Sequence, residues 1–218
     1  MELTFSIQGA LKEAWALFRK HAWFFLLAAL VNFVISFISN GRRVPLAVAI
    51  VATLASFIWT VVWMKVALAA ADGKEDKLTF SAIKEMLPSW QQAVGLIGLA
   101  IVVALAVLCG FILLIIPGFY IAFRLSLSNF VFFDQNLGIK GSIKHSWHMT
   151  KGKVFWTAVL VILTAALLYI VGLIAFGVGI LVTYPLGMIL MAKFYRALSR
   201  HYEAHAGVVV QPVEIRAE

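Results

Sequence analysis

The sequence predicts an all-α integral membrane protein, and three features carry this prediction. Hydrophobic residues make up 63% and charged residues 13% of the 218 positions, which leaves too little polar surface for a soluble globule. Six apolar stretches approach or exceed the length of about 20 residues that a helix needs to cross a bilayer. They lack the alternation of a transmembrane barrel, and unpaired backbone groups are costly in lipid, so helices are expected.

The six predicted crossings pair into three hairpins. They cover residues 22–38, 44–71, 91–116, 118–135, 154–176 and 178–199. Tight turns are predicted at 39–43, 116–118 and 177–179. The first crossing follows a long amphipathic lead that contains Glu2, which argues against a cleaved secretory signal. The single cysteine, Cys109, lies inside the third apolar run and has no partner for a disulfide within the chain.

The distribution of Lys and Arg predicts the orientation, because positively charged segments tend to stay in the cytoplasm. In the six-crossing topology, 16 of the 18 Lys and Arg residues lie on the side of the two termini, and only Arg42 and Arg43 lie on the other. All ten acidic residues share the side of the 16 cations, which leaves it a net charge of +6. We therefore expect cytoplasmic termini and a surface that attracts anionic phospholipids.

Short sequence similarities indicate an internal repeat. The tetrapeptide at 3–6 recurs unchanged at 78–81, and the segments 10–13, 82–85 and 142–145 resemble one another. A single membrane domain over 1–206 is predicted, with repeat units at about 3–72, 78–135 and 137–203 and a cytoplasmic tail at 207–218. Each unit would hold an amphipathic interfacial helix and one hairpin, and the three would surround a pseudo-threefold axis.

The predicted interfacial helices have an apolar stripe at helical spacing, as expected for helices in the headgroup plane. The stripes contain Ile7, Leu11, Trp15 and Phe18; then Phe80, Ile83, Leu87 and Trp90; then Ile139, Ile143 and Trp147. The third helix also has a basic face of Lys140, Lys144, His148 and Lys151. We expect Trp15, Trp90, Trp147 and this basic face to be interfacial anchors.

One group of residues resembles a known family. The group is Ile116-Pro117-Gly118, then Arg124, Ser142-Ile143-Lys144, Ser146-Trp147, Thr150-Lys151-Gly152 and Trp156. Its order and spacing are similar to those of the YciC-like bacterial membrane proteins and of the membrane domain attached to some glycerophosphodiester phosphodiesterases. The resemblance implies a six-helix module in the bacterial cytoplasmic (inner) membrane. It implies no activity, since nothing soluble in this chain is long enough for the phosphodiesterase domain.

Three cations inside apolar segments are the candidate site residues. Lys65, Arg124 and Lys193 each lie in the cytoplasmic third of a predicted crossing. One interpretation is snorkelling, in which the charge reaches the headgroups. The other is that the three converge on a lipid phosphate, which Arg can bind in a bidentate manner. Ser128 lies four residues after Arg124 and would share its helix face.

The sequence gives little support to metal or catalytic sites. His145 and His148 have few acidic neighbours, and His201 and His205 lack the arrangement of a metalloprotease. No nucleophile elbow, P-loop or dinucleotide fingerprint is present, although a cytoplasmic-face site using Asp72 or Asp134 stays open. No cofactor, metal or nucleic-acid partner is expected.

The function predicted from these features is non-enzymatic engagement of phospholipid at the cytoplasmic leaflet, as a lipid-handling protein or an accessory subunit. The partners would be anionic phospholipids, and a membrane or cytoplasmic protein is the other partner class left open. The alternatives are a small transporter or channel and, with less support, a membrane-interface enzyme acting on lipid headgroups.

Overall fold

The structure, a computed structural model, describes residues 5–39, 44–152, 154–174 and 179–206, and this part of the chain is helical without any strand. The α-helices are α1 Ile7–Lys20, α2 Ala22–Ser39, α3 Leu46–Ala71, α4 Ile83–Met86, α5 Trp90–Leu113, α6 Ile115–Leu125, α7 Ser128–Gln135, α8 Gly138–Met149, α9 Val154–Ile174 and α10 Ile180–Ala206. A 3₁₀ turn occupies Glu75–Lys77. Three predicted features lie wholly or mostly outside the described residues. They are the tail at 207–218, the turn at 177–179 except its last residue, and most of the turn at 39–43.

Four spans among the described residues are long and apolar enough to cross a membrane: Leu46–Ala71, Trp90–Leu113, Ile115–Gln135 and Val154–Ile174. Helix α1 and the segment Ala22–Ser36 of α2 meet at a bend of 92°, and as one broken span they would make a fifth. The crossing predicted over 178–199 corresponds to α10, which is not among these spans and carries Pro185 and Lys193. The multi-span helical class is therefore confirmed.

The turn between the third and fourth predicted crossings was placed wrongly in the sequence interpretation. It was predicted at 116–118, but α5 ends at Leu113, Leu114 alone is extended, and α6 starts at Ile115. Pro117 lies in the first turn of α6, where a helix tolerates proline because these N–H groups have no partner within the helix. The fourth crossing consists of α6 and α7, which are separated by a break at Ser126 and Leu127.

The second predicted interfacial helix is also corrected by the structure. Between Leu78 and Trp90 only the single turn α4 forms, and Trp90 is the first residue of α5. Leu87 is extended, as expected for a residue that precedes a proline. The side chain of Ser89 then caps α5 in a capping box with Gln92. Proline and the cap thus shorten the helix that the apolar spacing predicted.

Helix α1 forms as predicted, with a different buried face. Ser6 caps it by accepting a hydrogen bond of 3.1 Å from the Gly9 amide. Its buried residues are Ala10, Ala14 and Phe18. The predicted stripe of Ile7, Leu11 and Trp15 lies beside that face and stays at least partly exposed. Phe18 is thus the one member of the predicted stripe that is buried, and the small side chains of Ala10 and Ala14 allow close packing beside it.

The described residues divide into two compact units. The first contains Phe5, residues 89–162 without Lys153, and residues 194–206, while the second contains residues 6–39, 44–88, 163–174 and 179–193. In the second unit, α2 packs on α3 around a buried core that includes Phe25, Val62 and Trp63. Two of the four boundaries between the units fall inside α9 and α10, and so within the third predicted repeat unit.

In the first unit, α5 packs against α6, and α7 packs against α8. Two glycines of α5 allow α7 and α8 to approach this helix closely, as their positions in an apolar run predicted. A Cβ atom at Gly95 would lie 2.6 Å from the Phe132 ring, and one at Gly98 would lie 2.8 Å from Ile139. These helices position the site described next.

Candidate phosphate site around Arg124

The side chain of Arg124 is buried among aromatic rings and backbone. It lies in the last turn of α6 and is 2% exposed. Its Nη1 atom donates a hydrogen bond of 2.7 Å to the carbonyl oxygen of Thr150. The guanidinium carbon lies 4.4 Å from the ring centre of Trp147 and 5.5 Å from that of Tyr120. The cation is therefore held by two aromatic rings and one carbonyl group.

The backbone of Arg124 is bound by the hydroxyl groups of α8. The Ser146 hydroxyl donates to the Arg124 carbonyl oxygen at 2.8 Å, and the Thr150 hydroxyl approaches the same oxygen at 3.3 Å. Because α6 ends at Leu125, its last carbonyl groups have no partner within the helix. Side chain and backbone of Arg124 together thus connect the end of α6 to the end of α8.

Sequence reasoning missed these hydroxyl groups as partners of Arg124. Ser142, Ser146 and Thr150 follow one another at a spacing of four and are all fully buried. Residues four apart share a helix face, so this hydroxyl stripe could have indicated a buried face of α8. The predicted stripe of Ile139, Ile143 and Trp147 is instead only half-buried.

Arg124 has no carboxylate partner within ion-pairing distance among the described residues. Its Nε atom is buried and lacks a hydrogen-bond partner in the same part of the chain. Ser128, predicted to share the site, is buried too, but its hydroxyl donates to the carbonyl oxygen of Leu125 at 2.7 Å. Among the described residues, the buried guanidinium group thus has no acceptor for its Nε–H group and no counter-ion for its charge.

The other two predicted cations belong to the second unit. Lys193 forms an ion pair of 2.5 Å with Glu13, so a phosphate there would compete with a carboxylate. Lys65 is half-buried in α3. Convergence of Lys65, Arg124 and Lys193 on one phosphate stays a prediction. Among the three, Arg124 is the cation whose surroundings define a site.

Asp134, a candidate for a cytoplasmic-face catalytic site, has structural partners instead. Its carboxylate accepts hydrogen bonds from Tyr195 and Arg196, both at 2.7 Å, and lies 2.6 Å from Arg196 through its other oxygen. The Tyr195 ring is fully buried and stacks on Phe130 at 5.7 Å between centroids. Asp134 therefore connects α7 to α10 within the first unit.

His145 packs against α10 and does not form part of a metal cluster. Its ring contacts Tyr202 edge to face, with 4.9 Å between centroids, and its buried Nε2 atom lacks a hydrogen-bond partner among the described residues. No group of three or more His, Cys, Asp or Glu side chains in this part of the chain could hold a metal ion. Burial lowers the pKa of His145, although Glu203 and Asp134 oppose this shift.

The lowered pKa of His145 predicts that acid destabilises the protein. The unfolded state has a histidine pKa of about 6.5, so it binds protons first as the pH falls, while the native state resists protonation. Stability should fall as the pH decreases below about 6.5, and His145→Gln should reduce this fall. The measurement is the melting temperature in detergent between pH 7.5 and 5. His148→Gln is the comparison variant: His148 is exposed and its charge contributes to the lowered pKa of His145, so this variant should reduce the fall less than His145→Gln does. Equal slopes for wild type and His145→Gln would contradict the prediction.

The predicted interfacial anchors have mixed environments. Trp15 and Trp90 are 46% and 81% exposed, and Lys140, Lys144, His148 and Lys151 are exposed as well. Trp147 is half-buried against Arg124, so its main observed role is to contact the guanidinium group. An anchoring role for the exposed side chains stays a prediction.

No protein-family model, curated protein or solved structure matches the chain. The resemblance to the YciC-like proteins therefore stays a prediction based on the quoted residues. Several of those residues lie together in the structure, because Ser146, Trp147 and Thr150 all contact Arg124.

Proposed function

We propose that this chain is a non-enzymatic integral membrane protein that binds the phosphate group of an anionic phospholipid through Arg124. The observation that carries the proposal is the buried guanidinium group, which has no counter-ion in the part of the chain that the structure describes. Burial of a charge is costly unless it is paired, and the paired side chains of Lys193 and Arg196 follow this rule. A phosphate would provide the missing negative charge at Arg124.

The chemistry of the site suits a phosphate oxygen. The Nε–H group of Arg124 lacks an acceptor within the described ranges, and a planar guanidinium group can offer two N–H groups in parallel to a phosphate. The Trp147 and Tyr120 rings stabilise the cation through their faces but accept no such charge-assisted bond. The aromatic rings therefore keep the guanidinium group in place, and the phosphate completes its coordination.

Access to the site requires movement of an aromatic side chain, since Arg124 is almost fully buried. Tyr120 is 41% exposed and Trp147 is half-buried, so both rings lie between the guanidinium group and the protein surface. Rotation of an exposed side chain takes picoseconds to nanoseconds. In the proposal, the Tyr120 ring moves aside and a lipid headgroup takes its place.

The same proposal includes the finer topology. The protein would have six crossings in three hairpins around a pseudo-threefold axis, with both termini in the cytoplasm of a bacterium and the span Ile115–Gln135 in its inner membrane. Support comes from the position of 16 of the 18 Lys and Arg residues on one side of such a topology. The role of the protein would be lipid handling or that of an accessory subunit.

The phosphate site is tested by retention of phosphatidylglycerol on the purified, folded protein, measured by native mass spectrometry. Arg124→Ala should weaken retention by about 1.5–3 kcal/mol, or roughly 10- to 100-fold, because a charge-assisted bond is lost. Retention by Arg124→Lys should lie between that of the wild type and that of Arg124→Ala, since lysine keeps the charge but cannot offer the bidentate fork.

Ser146→Ala is the matched control for this experiment. It removes the hydrogen bond to the Arg124 carbonyl oxygen and so loosens the same helix junction without removing the cation. Retention of phosphatidylglycerol should stay close to the wild-type level in this variant. If all four proteins retain the lipid equally, or if Ser146→Ala loses it as Arg124→Ala does, Arg124 is a structural residue and the proposal is wrong.

The six-crossing topology predicts that the two sides of the membrane can be labelled separately. In a Cys109→Ser background, single cysteines at Gly41 and Asp76 should react with a membrane-impermeant thiol reagent from opposite sides. Asp76 is suitable because it is exposed, whereas neighbouring Gly73 has a positive φ of 71° that a cysteine would strain. Labelling of both positions from the same side would refute the topology.

A further inference from the structure

A groove on the second unit combines a polar end with an aromatic end. It lies where α1 meets α2 and encloses about 320 Å³ between Lys20, His21, Trp23, Phe24 and the segment Leu78–Phe80. None of these residues belongs to the Arg124 site. The groove is therefore a separate candidate ligand site.

Charges of both signs lie at the polar end of the groove, where Lys20 and His21 form the lining and Glu75 lies beside them. The Lys20 ammonium group forms an ion pair with Glu75, and the His21 Nε2 atom lies 3.6 Å from the same carboxylate. This Nε2 atom is buried and has no hydrogen-bond partner among the described residues. The pKa of Glu75 is lowered, chiefly by the hydrogen bond from Lys20, so its carboxylate is ionised at neutral pH. Cationic and anionic groups thus lie side by side.

The other end of the groove is apolar and open. Trp23 is 74% exposed and Phe80 is 46% exposed, although both are large aromatic side chains. The Phe80 ring packs against Phe24 with 5.1 Å between centroids. Exposed aromatic rings next to charged groups are typical of the membrane interface, where one end of a side chain meets water and the other meets lipid.

The bend between α1 and α2 places this groove at a defined depth. Helix α1 is amphipathic and α2 is apolar, and they meet at 92°. A helix in the headgroup plane that turns into a crossing has its bend at the boundary between headgroups and acyl chains. This step rests on the proposed function, because it takes the protein to be inserted with α1 at the interface.

From these observations we infer that the groove binds a phospholipid whose headgroup carries both a phosphate and an ammonium group, as phosphatidylethanolamine does. The phosphate would contact Lys20 and His21, and the ammonium group would contact Glu75 beside the groove. The first acyl carbons would lie on Trp23 and Phe80. A purely anionic headgroup fits less well because it would meet the Glu75 carboxylate without a cation of its own.

The test compares retention of phosphatidylethanolamine and phosphatidylglycerol by native mass spectrometry on the full chain. Lys20→Gln should reduce retention of phosphatidylethanolamine about five- to tenfold, since a charge-assisted bond to phosphate is lost. Glu75→Gln should shift the preference toward phosphatidylglycerol. The control is Lys12→Gln, which makes the same charge change on an exposed position of α1 outside the groove and should leave retention unchanged.

The results separate this inference from the proposal for Arg124. Loss of phosphatidylethanolamine in Lys20→Gln but not in Lys12→Gln or Arg124→Ala supports the groove. Equal effects of Lys20→Gln and Lys12→Gln would indicate only general attraction of lipid by charge and would overturn it, as would an unchanged preference in Glu75→Gln. Arg124→Ala tests the other site alone, through phosphatidylglycerol.

Discussion

Replacement of Asp134 by alanine is expected to lower the free energy of unfolding by about 3–5 kcal/mol, the usual cost of breaking a buried ion pair. The side chains of Asp134 and Arg196 are only 18% and 22% exposed. Without the carboxylate, Arg196 loses its ion pair with Asp134 and the hydroxyl group of Tyr195 loses the hydrogen bond that it donates to Asp134. The measurement is reversible unfolding of the purified protein in mixed detergent micelles.

A second variant distinguishes the ion pair from loss of packing. Asp134→Ala combined with Arg196→Met removes both charges of the pair, so neither charge is left without its partner. This double variant should recover a large part of the lost stability, which would appear as a favourable coupling energy in a double-mutant cycle. Additive effects of the two substitutions would show that the pair contributes little.

The apolar runs predicted most of the helices because chain composition alone determines which segments lipid can accommodate. The predicted crossings at 44–71 and 154–176 correspond closely to α3 and α9. The predicted helix ends were wrong where local backbone chemistry determines where a helix begins or ends. The extended Leu114 lies inside a continuous apolar run and gives no signal, and the cap at Ser89 shortened a helix that periodicity alone had extended.

The candidate site was predictable in part. A charge inside an apolar segment is expensive, so Arg124 could be found from the sequence. Its partner Thr150 is 26 residues away, and only the packing of α6 against α8 brings the two together. The ion pair of Lys193 with Glu13 joins residues 180 apart in sequence, and no local pattern could predict it. The sequence therefore predicts three candidate cations, because it does not reveal such long-range pairs. The structure defines a site around Arg124.

The hairpin of α5 and α6 depends on glycine at position 110, and Gly110→Leu should lower the free energy of unfolding by about 3 kcal/mol, the upper end of the usual overpacking cost. A Cβ atom there would lie 2.9 Å from the Cα atom of Gly118 and 2.9 Å from Ile121. The first of these neighbours is backbone, which cannot rotate away as a side chain can. Leucine would therefore force the two helices apart next to the single extended residue that joins them.

Ala104→Leu provides the control for this substitution. Ala104 is an exposed residue of the same helix, so leucine there adds apolar volume without meeting α6. The free energy of unfolding of Ala104→Leu should match that of the wild type. The value for Gly110→Ala should lie between those of Ala104→Leu and Gly110→Leu. Unfolding is again measured in mixed detergent micelles. If Gly110→Leu were as stable as Ala104→Leu, α5 and α6 could not approach each other at Gly110 and Gly118. The position of Arg124 would then need a different explanation, because Arg124 lies on α6 about two turns after Gly118.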